Sequence, residues 1–179
     1  MKVISGKYKG RVLKGYDLEG TRPTMDRVKE SLFGTIQEYI NNSIVLDLFS
    51  GSGNLGIESL SEGAKFAFLV DNNSKAINII KDNINNIGIE DVEIIKKDYI
   101  DALAYLKNKE INIIFLDPPY KTDYIEKSII LIEKYNLLKD KGIIICESDS
   151  LEKIKYSSTF KEIKRKKYGD KFIVILEKI

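Results

Sequence analysis

From Ser43 onward, short apolar runs alternate with stretches of helical periodicity, and each junction carries a turn or cap signal. SIVLDLF reads as a first strand and NLGIESLSEG as a short helix closed by Gly63. FAFLVD is a second strand. Asn73 or Ser74 can cap the helix behind it, in which Ala76, Ile77, Ile80, Ile84 and Ile87 lie on one face and Gly88 ends the run. VEIIKKD makes a third strand, with a helix predicted over 99–106. INIIFLD makes a fourth, stopped by Pro118-Pro119, which cannot continue a hydrogen-bonded ladder. Asp123 caps the next helix, bearing Ile125, Ile129 and Ile132, and GIIICES is a fifth strand. STFKEIKRKKYGDKFIVILEK then reads as two strands joined at Gly169-Asp170, an antiparallel pair. Strands as apolar as IIFL and GIIIC, spaced by helices, are buried on both faces. The pattern therefore predicts an α/β domain with a doubly wound, mostly parallel, seven-stranded sheet and a C-terminal antiparallel hairpin.

The first 42 residues break this alternation. VISGKYKGRVLKGY predicts a small basic, Gly-punctuated hairpin, followed by a loop and a helix begun at Thr24 after Pro23, with Met25, Val28, Leu32, Ile36 and Ile40 on one face. We expect residues 1–42 to form an N-terminal hairpin-plus-helix appendage, packed on a domain of residues 43–179. A chain of 179 residues, 43% apolar and 31% charged, has the size and balance of one globular domain. Its longest apolar runs, such as Phe66 to Val70, are five residues, against roughly 20 for a membrane span. Lys and Gly interrupt the first apolar residues too often for a secretory leader, so a cytoplasmic protein away from the membrane is expected.

The absence of His and the presence of one Cys exclude imidazole-based triads, His-ligated zinc sites, thiolate clusters and intrachain disulfides, and no metal is expected. Cys146, inside GIIICES, reads as a buried strand thiol. Chemistry must come from carboxylates, hydroxyls, backbone groups or a cofactor. The formal charge of +2 hides an uneven distribution: Lys2, Lys7, Lys9, Arg11 and Lys14 precede the first acid, and Lys161, Lys164, Arg165, Lys166, Lys167 and Lys171 crowd the other end. A solvated surface explains either run alone, but basic ends around a near-neutral middle suggest a polyanion partner.

The first strand runs into GSGNLG, where Gly51, Gly53 and Gly56 match G-x-G-x-x-G between strand and helix, and Asp71 ends the second strand. Glycines allow the tight turn and the approach of a ligand to bare backbone, and the carboxylate can take both hydroxyls of a ribose. The motif leaves open whether that ribose belongs to a nicotinamide dinucleotide or to S-adenosylmethionine. Asp47 lies inside the first strand, and Asp98, ending the third, can accept from an adenine amine. DPPY, Asp117 to Tyr120, separates the two cofactors. An amine on a flat conjugated group is a poor nucleophile, because its lone pair is delocalised. Asp117 and the Pro118 carbonyl can accept its two hydrogens and aim the lone pair at an incoming methyl group, while Tyr120 stacks on the base.

DLFSGSGNLGIESLSEGA with DPPY resembles the class I S-adenosylmethionine-dependent methyltransferases. ISGKYKGRVLKG and RPTMDRVKESLF narrow the resemblance to the RsmD-type family, which methylates N2 of a guanine in 16S ribosomal RNA. RPT-x-DRV-x-E-x-LF is the most specific block, since the glycine turn and DPPY are shared with many amino-methyltransferases. The resemblance implies a Rossmann-like methyltransferase sheet and S-adenosylmethionine held by Asp47, Ser50, Gly51, Ser52, Gly53, Asp71, Asn72, Asp98 and Tyr99. It places the target amine at Asp117, Pro118, Pro119 and Tyr120. With 16S ribosomal RNA as the substrate, within a small ribosomal subunit or an assembly intermediate, we expect a monomer whose basic residues Lys7, Lys9, Arg11, Lys14, Arg22 and Arg27, with Thr24, grip the RNA. Two positions depart from the family: Gly34 stands mid-helix in place of a larger polar residue, and Lys171 follows YGD in place of a small hydroxyl residue.

DPPY also suits adenine N6, cytosine N4 or a glutamine amide. DNA enzymes of that kind usually carry a further target-recognition domain, for which this chain has no room. A nicotinamide-dependent dehydrogenase would leave DPPY and both basic ends unexplained, and an RNA-binding module without activity would leave Asp71 and Asp98 without a use.

Overall fold

The computed structural model describes residues 1–16 and 23–179. Seven strands form one sheet in the order β3-β2-β1-β4-β5-β7-β6: β1 (Ile44–Asp47), β2 (Phe66–Asp71), β3 (Val92–Lys96), β4 (Ile111–Leu116), β5 (Leu138–Ser148), β6 (Phe160–Tyr168) and β7 (Lys171–Lys178). The first five run parallel, and β7 lies antiparallel between β5 and β6. The helices are α1 (Pro23–Ile40), α2 (Asn54–Ser61), α3 (Ser74–Ile87), α4 (Tyr99–Tyr105) and α5 (Tyr124–Lys134). This is the doubly wound arrangement expected from the alternation of apolar runs.

Successive strand residues feed opposite layers, which is why the strands read as continuous apolar runs. Leu46, Phe68, Ile114 and Ile144 pack with Leu103, Leu106, Ile125 and Ile129 from the α4 and α5 side. Val45, Leu69, Ile113, Phe115 and Ile145 pack with Leu32, Phe33, Ile36, Ile57, Leu60, Ile77 and Ile80 from α1, α2 and α3. Among the described residues no helix is long and apolar enough to cross a membrane.

The N-terminal region differs in detail from its expectation. Residues 1–16 contain one isolated bridge, Lys2 to Val12, rather than a strand pair. Val3 and Leu13 are buried in the same layer as α1, so packing rather than a ladder holds this segment. On α1 the buried seam runs Lys29, Leu32, Phe33, Ile36, Ile40, while Met25 stays 46% exposed. The seam follows helical spacing, but its first member is a lysine, which a search for apolar periodicity passes over.

The ends of the elements match their expectations in part. Asn73 caps α3 as expected, accepting from the backbone N–H of Lys75 and Ala76. Asp123 occupies the N-cap of α5 without a capping bond, because its φ of −99° and ψ of 22° lie outside the extended region that capping needs, and its carboxylate pairs with Lys127 at 2.9 Å. The C-cap of α2 is Glu62, one residue before Gly63. β5 begins at Leu138, ahead of GIIICES, because the polar residues Lys139 to Lys141 join the strand on its exposed stretch.

Candidate active site

The loop after β1 is tied to β2 by Ser50, whose hydroxyl donates to the Asp47 carbonyl at 2.7 Å and accepts from Val70 N–H at 3.1 Å. Gly51 and Gly53 take φ of 58° and 82°, in the left-handed region that favours glycine. The Gly51 N–H donates to Asp71 Oδ2 at 3.0 Å, and Asn73 N–H donates to Asp71 Oδ1 at 2.9 Å. Asp71 is thereby fixed at the carboxyl end of β2, with lone pairs to spare on a half-buried carboxylate. Asn72 beside it is exposed, and Ser52 is buried in the turn. Gly56 serves packing: a Cβ there would stand 2.1 Å from Leu69 Cδ2.

Asp47 is almost fully buried and accepts from Gly56 N–H at 3.2 Å. Burial pushes its carboxyl up to about 7; the Gly56 N–H opposes the shift and the Asp71 charge adds to it. Asp98 caps α4 by accepting from Ile100 N–H at 2.9 Å. Tyr99 is buried, its ring 5.5 Å from Phe49 and 4.6 Å from Tyr124, so three aromatic rings wall the carboxyl edge between β1 and α5. Neither Phe49 nor Tyr124 stood out in the sequence as a site residue. Two more were not foreseen: Tyr16, whose side chain packs beside Gly51, and Asn83, whose amide donates to the carbonyls of Ser52 at 3.0 Å and Lys14 at 3.1 Å. The N-terminal segment is thus fastened to the glycine turn.

At the end of β4, Asp117 is half-buried, Pro118 buried, and Pro119 and Tyr120 exposed. Neither Asp117 oxygen takes a hydrogen bond among the described residues. Burial holds its carboxyl well above the usual range, Glu147 and Asp47 push it further, and Lys171 opposes them. Tyr120 donates to Glu147 Oε1 at 3.3 Å, and Lys171 donates to the same oxygen at 2.7 Å, its ammonium 5.6 Å from the Tyr120 ring centre. Burial alone would lower the Lys171 pKa, but its bonds to Glu147 and Tyr120 outweigh that and hold it above the ordinary value. Glu147 could have been suspected as the acid ending an apolar strand.

Burial raises the Cys146 thiol far above its ordinary range, in keeping with an inert strand residue. Of the basic residues, Lys7, Lys9 and Arg27 are exposed. The Arg11 guanidinium donates to the Asn86 carbonyl, and Lys14 pairs with Asp82 at 2.7 Å, so both also pin the N-terminal segment to α3. Arg22 lies outside the described residues, and Thr24 stands in the first turn of α1.

A family model described as Conserved hypothetical protein 95 matches residues 1–177. YlbH of Bacillus subtilis, described as a candidate rRNA methyltransferase, is 41% identical over 152 residues, 83% of each chain. Ribosomal RNA small subunit methyltransferase D of Buchnera aphidicola is 38% identical over 152 residues, 85% of this chain and 80% of that one. The solved structure of Escherichia coli yhhF, described as a candidate methyltransferase, superposes with a TM-score of 0.89 at 29% identity, covering 99% of this chain and 97% of that one.

Proposed function

The chain belongs to the Conserved hypothetical protein 95 family and is an S-adenosylmethionine-dependent RNA methyltransferase, and from that premise we propose that its carboxyl-edge site methylates the exocyclic N2 amine of a guanine in 16S ribosomal RNA. The observation that carries this reading is Asp117, a half-buried carboxylate without a hydrogen-bond donor among the described residues, placed directly before two prolines. A buried acceptor left in this state is costly unless a ligand supplies the donor. An exocyclic amine brings two, one for Asp117 and one for the Pro118 carbonyl, with Pro119 holding the turn and Tyr120 set to stack on the base.

The donor set fits the cofactor. Asp47, Asp71, Asp98 and Asp117 gather acids at the ends of four neighbouring strands, an environment suited to a sulfonium cation, and Gly51 and Gly53 bare the backbone between them. Asp71 would take the ribose hydroxyls, assisted by Asn72. Ser50, Gly51, Ser52 and Gly53 would shape the turn around the ligand, and Asp98 and Tyr99 would meet the adenine. When bound, S-adenosylmethionine supplies an electrophilic methyl group on sulfur. Asp117 acts by orienting and desolvating the amine; burial and the Glu147 charge hold its carboxyl well above the usual range, and Lys171 opposes them.

We assign contact with the phosphates of an RNA, in the small ribosomal subunit or its assembly intermediate, to Lys7, Lys9, Arg11, Lys14, Arg22, Thr24 and Arg27 of a monomer. Mass-spectrometric mapping of ribosomal RNA from a strain lacking this gene tests the reading. One N2-methylguanosine should vanish from 16S RNA and return with the wild-type gene but not with Asp117→Asn. An unchanged 16S modification map would reject the substrate.

A further inference from the structure

Three charged side chains end three adjacent strands beside the proposed target amine. Asp117 follows β4, Glu147 stands one residue before the end of β5, and Lys171 opens β7; these strands are neighbours in the sheet. Period-two alternation puts all three on one face. Phe115, Ile145 and Ile173 belong to the apolar layer beneath α1, and Asp117, Glu147 and Lys171 each lie two residues from one of them. Glu147 is opposite Ile173 in the β5–β7 ladder, so Lys171 is its diagonal neighbour, close enough for the 2.7 Å ion pair. The carboxylate is only 16% exposed.

Across the sheet, the three present acceptor, acceptor, donor. Their capacity is not used up within the protein. Both Glu147 contacts fall on Oε1, leaving Oε2 without a hydrogen bond among the described residues. Lys171 has three ammonium hydrogens, of which Glu147 takes one and Tyr120 engages another, so one is left. The β5–β7 ladder is complete through backbone bonds, so the fold does not require a lysine at this position.

We propose that Glu147 and Lys171 are the specificity residues that read the Watson–Crick edge of the target base, Glu147 accepting from guanine N1–H and Lys171 donating to O6 while Asp117 holds the N2 amine. This rests on the guanine-N2 reading above. Guanine presents donor, donor, acceptor along N2, N1 and O6, the complement of the order on the sheet. Adenine offers donor then acceptor from N6 to N1, and cytosine donor then acceptor from N4 to N3. Either would set a ring lone pair against the Glu147 carboxylate and leave buried polar groups unmatched, the kind of mismatch that discriminates most strongly. Lys171 sets a cationic donor beside Glu147 at the same sheet edge.

The test uses 16S RNA fragments, reconstituted into small subunits, with guanine or 2-aminopurine at the mapped position. 2-Aminopurine keeps the N2 amine but lacks N1–H and O6. The wild-type enzyme should prefer guanine by about 10²-fold or more in kcat/KM. In Glu147→Gln and Lys171→Thr the preference should shrink to about 10-fold or less, because guanine slows while 2-aminopurine changes little. Calorimetric binding of S-adenosylmethionine at wild-type affinity will certify that each variant is folded. Equal slowing of both substrates, or an undiminished preference, overturns the edge-reading role. Neither result touches the N2 assignment, which fails separately if wild-type product on guanine RNA is not N2-methylguanosine.

Discussion

Lys29 Nζ lies 3.0 Å from Glu58 Oε2, with the two side chains 2% and 0% exposed. The ammonium also donates to the Lys2 carbonyl and to Asn54 Oδ1, both at 2.7 Å, and the carboxylate accepts from the backbone N–H of Ile4 and Ser5. One enclosed pair therefore joins the N-terminal segment, α1 and the helix that opens at the glycine turn. Lys29→Met should destabilise the protein by about 3–5 kcal/mol, because it leaves the Glu58 carboxylate in a dry site without its ion partner. The double variant with Glu58→Gln should recover part of the loss. Denaturant unfolding of wild type and the three variants checks both expectations, and additive losses would contradict the pairing.

Gly34 faces solvent on α1, with nothing within 4 Å of where a Cβ would stand. Gly34→Ala should stabilise by about 0.5–1 kcal/mol, since it removes backbone entropy from the unfolded chain and creates no clash. The same unfolding curves read it as a higher midpoint with an unchanged slope.

Asp47 ties stability to pH. Its carboxyl sits near about 7 in the folded protein against 3.8 for the ordinary group. The folded state therefore holds a proton that the unfolded chain releases between these values, so this contribution is full at low pH and declines as pH rises toward 7. Asp47→Asn should flatten that decline relative to wild type, by up to roughly 4 kcal/mol. Unfolding free energies at pH 4.5 and pH 8 measure it, and identical pH dependence in the two proteins would contradict the burial account.

The parallel strands, their crossovers and the C-terminal hairpin were all legible in the sequence, because strands buried on two faces leave uninterrupted apolar runs. DPPY and the glycine turn were legible as well, since prolines and glycines mark backbone geometry directly. Lys29 and Glu58 were not: a buried ion pair looks like two surface charges until α1 and α2 are brought together. Glu147 and Lys171 escaped for a related reason, being 24 residues apart and joined only through the antiparallel β5–β7 pairing. β6 lies at the sheet edge and is mostly exposed, in keeping with its lysines, which are common on edge strands.

Lys7, Lys9 and Arg27 are exposed on the N-terminal segment and α1. Reversing all three to Glu should weaken binding of 16S RNA fragments and lower the slope of log affinity against log salt by about 0.7–0.9 for each phosphate that is no longer neutralised. Affinity for S-adenosylmethionine should stay at its wild-type value. An unaltered salt slope would show that these charges only solvate the surface.

Asp117 orients the target amine, and the proposed chemistry depends on that role above all others. Asp117→Asn keeps the size of the side chain but places an NH2 where an acceptor is needed, so one amine hydrogen loses its partner as the methyl group arrives. Single-turnover methyl transfer at saturating S-adenosylmethionine and small-subunit RNA, run beside binding titrations on the same variant, is the most direct measurement. The rate should fall about 10²-fold or more, as when one preorganised electrostatic interaction is removed, with cofactor and RNA affinities little changed. A rate that holds while cofactor binding collapses would make Asp117 a cofactor ligand and contradict the account.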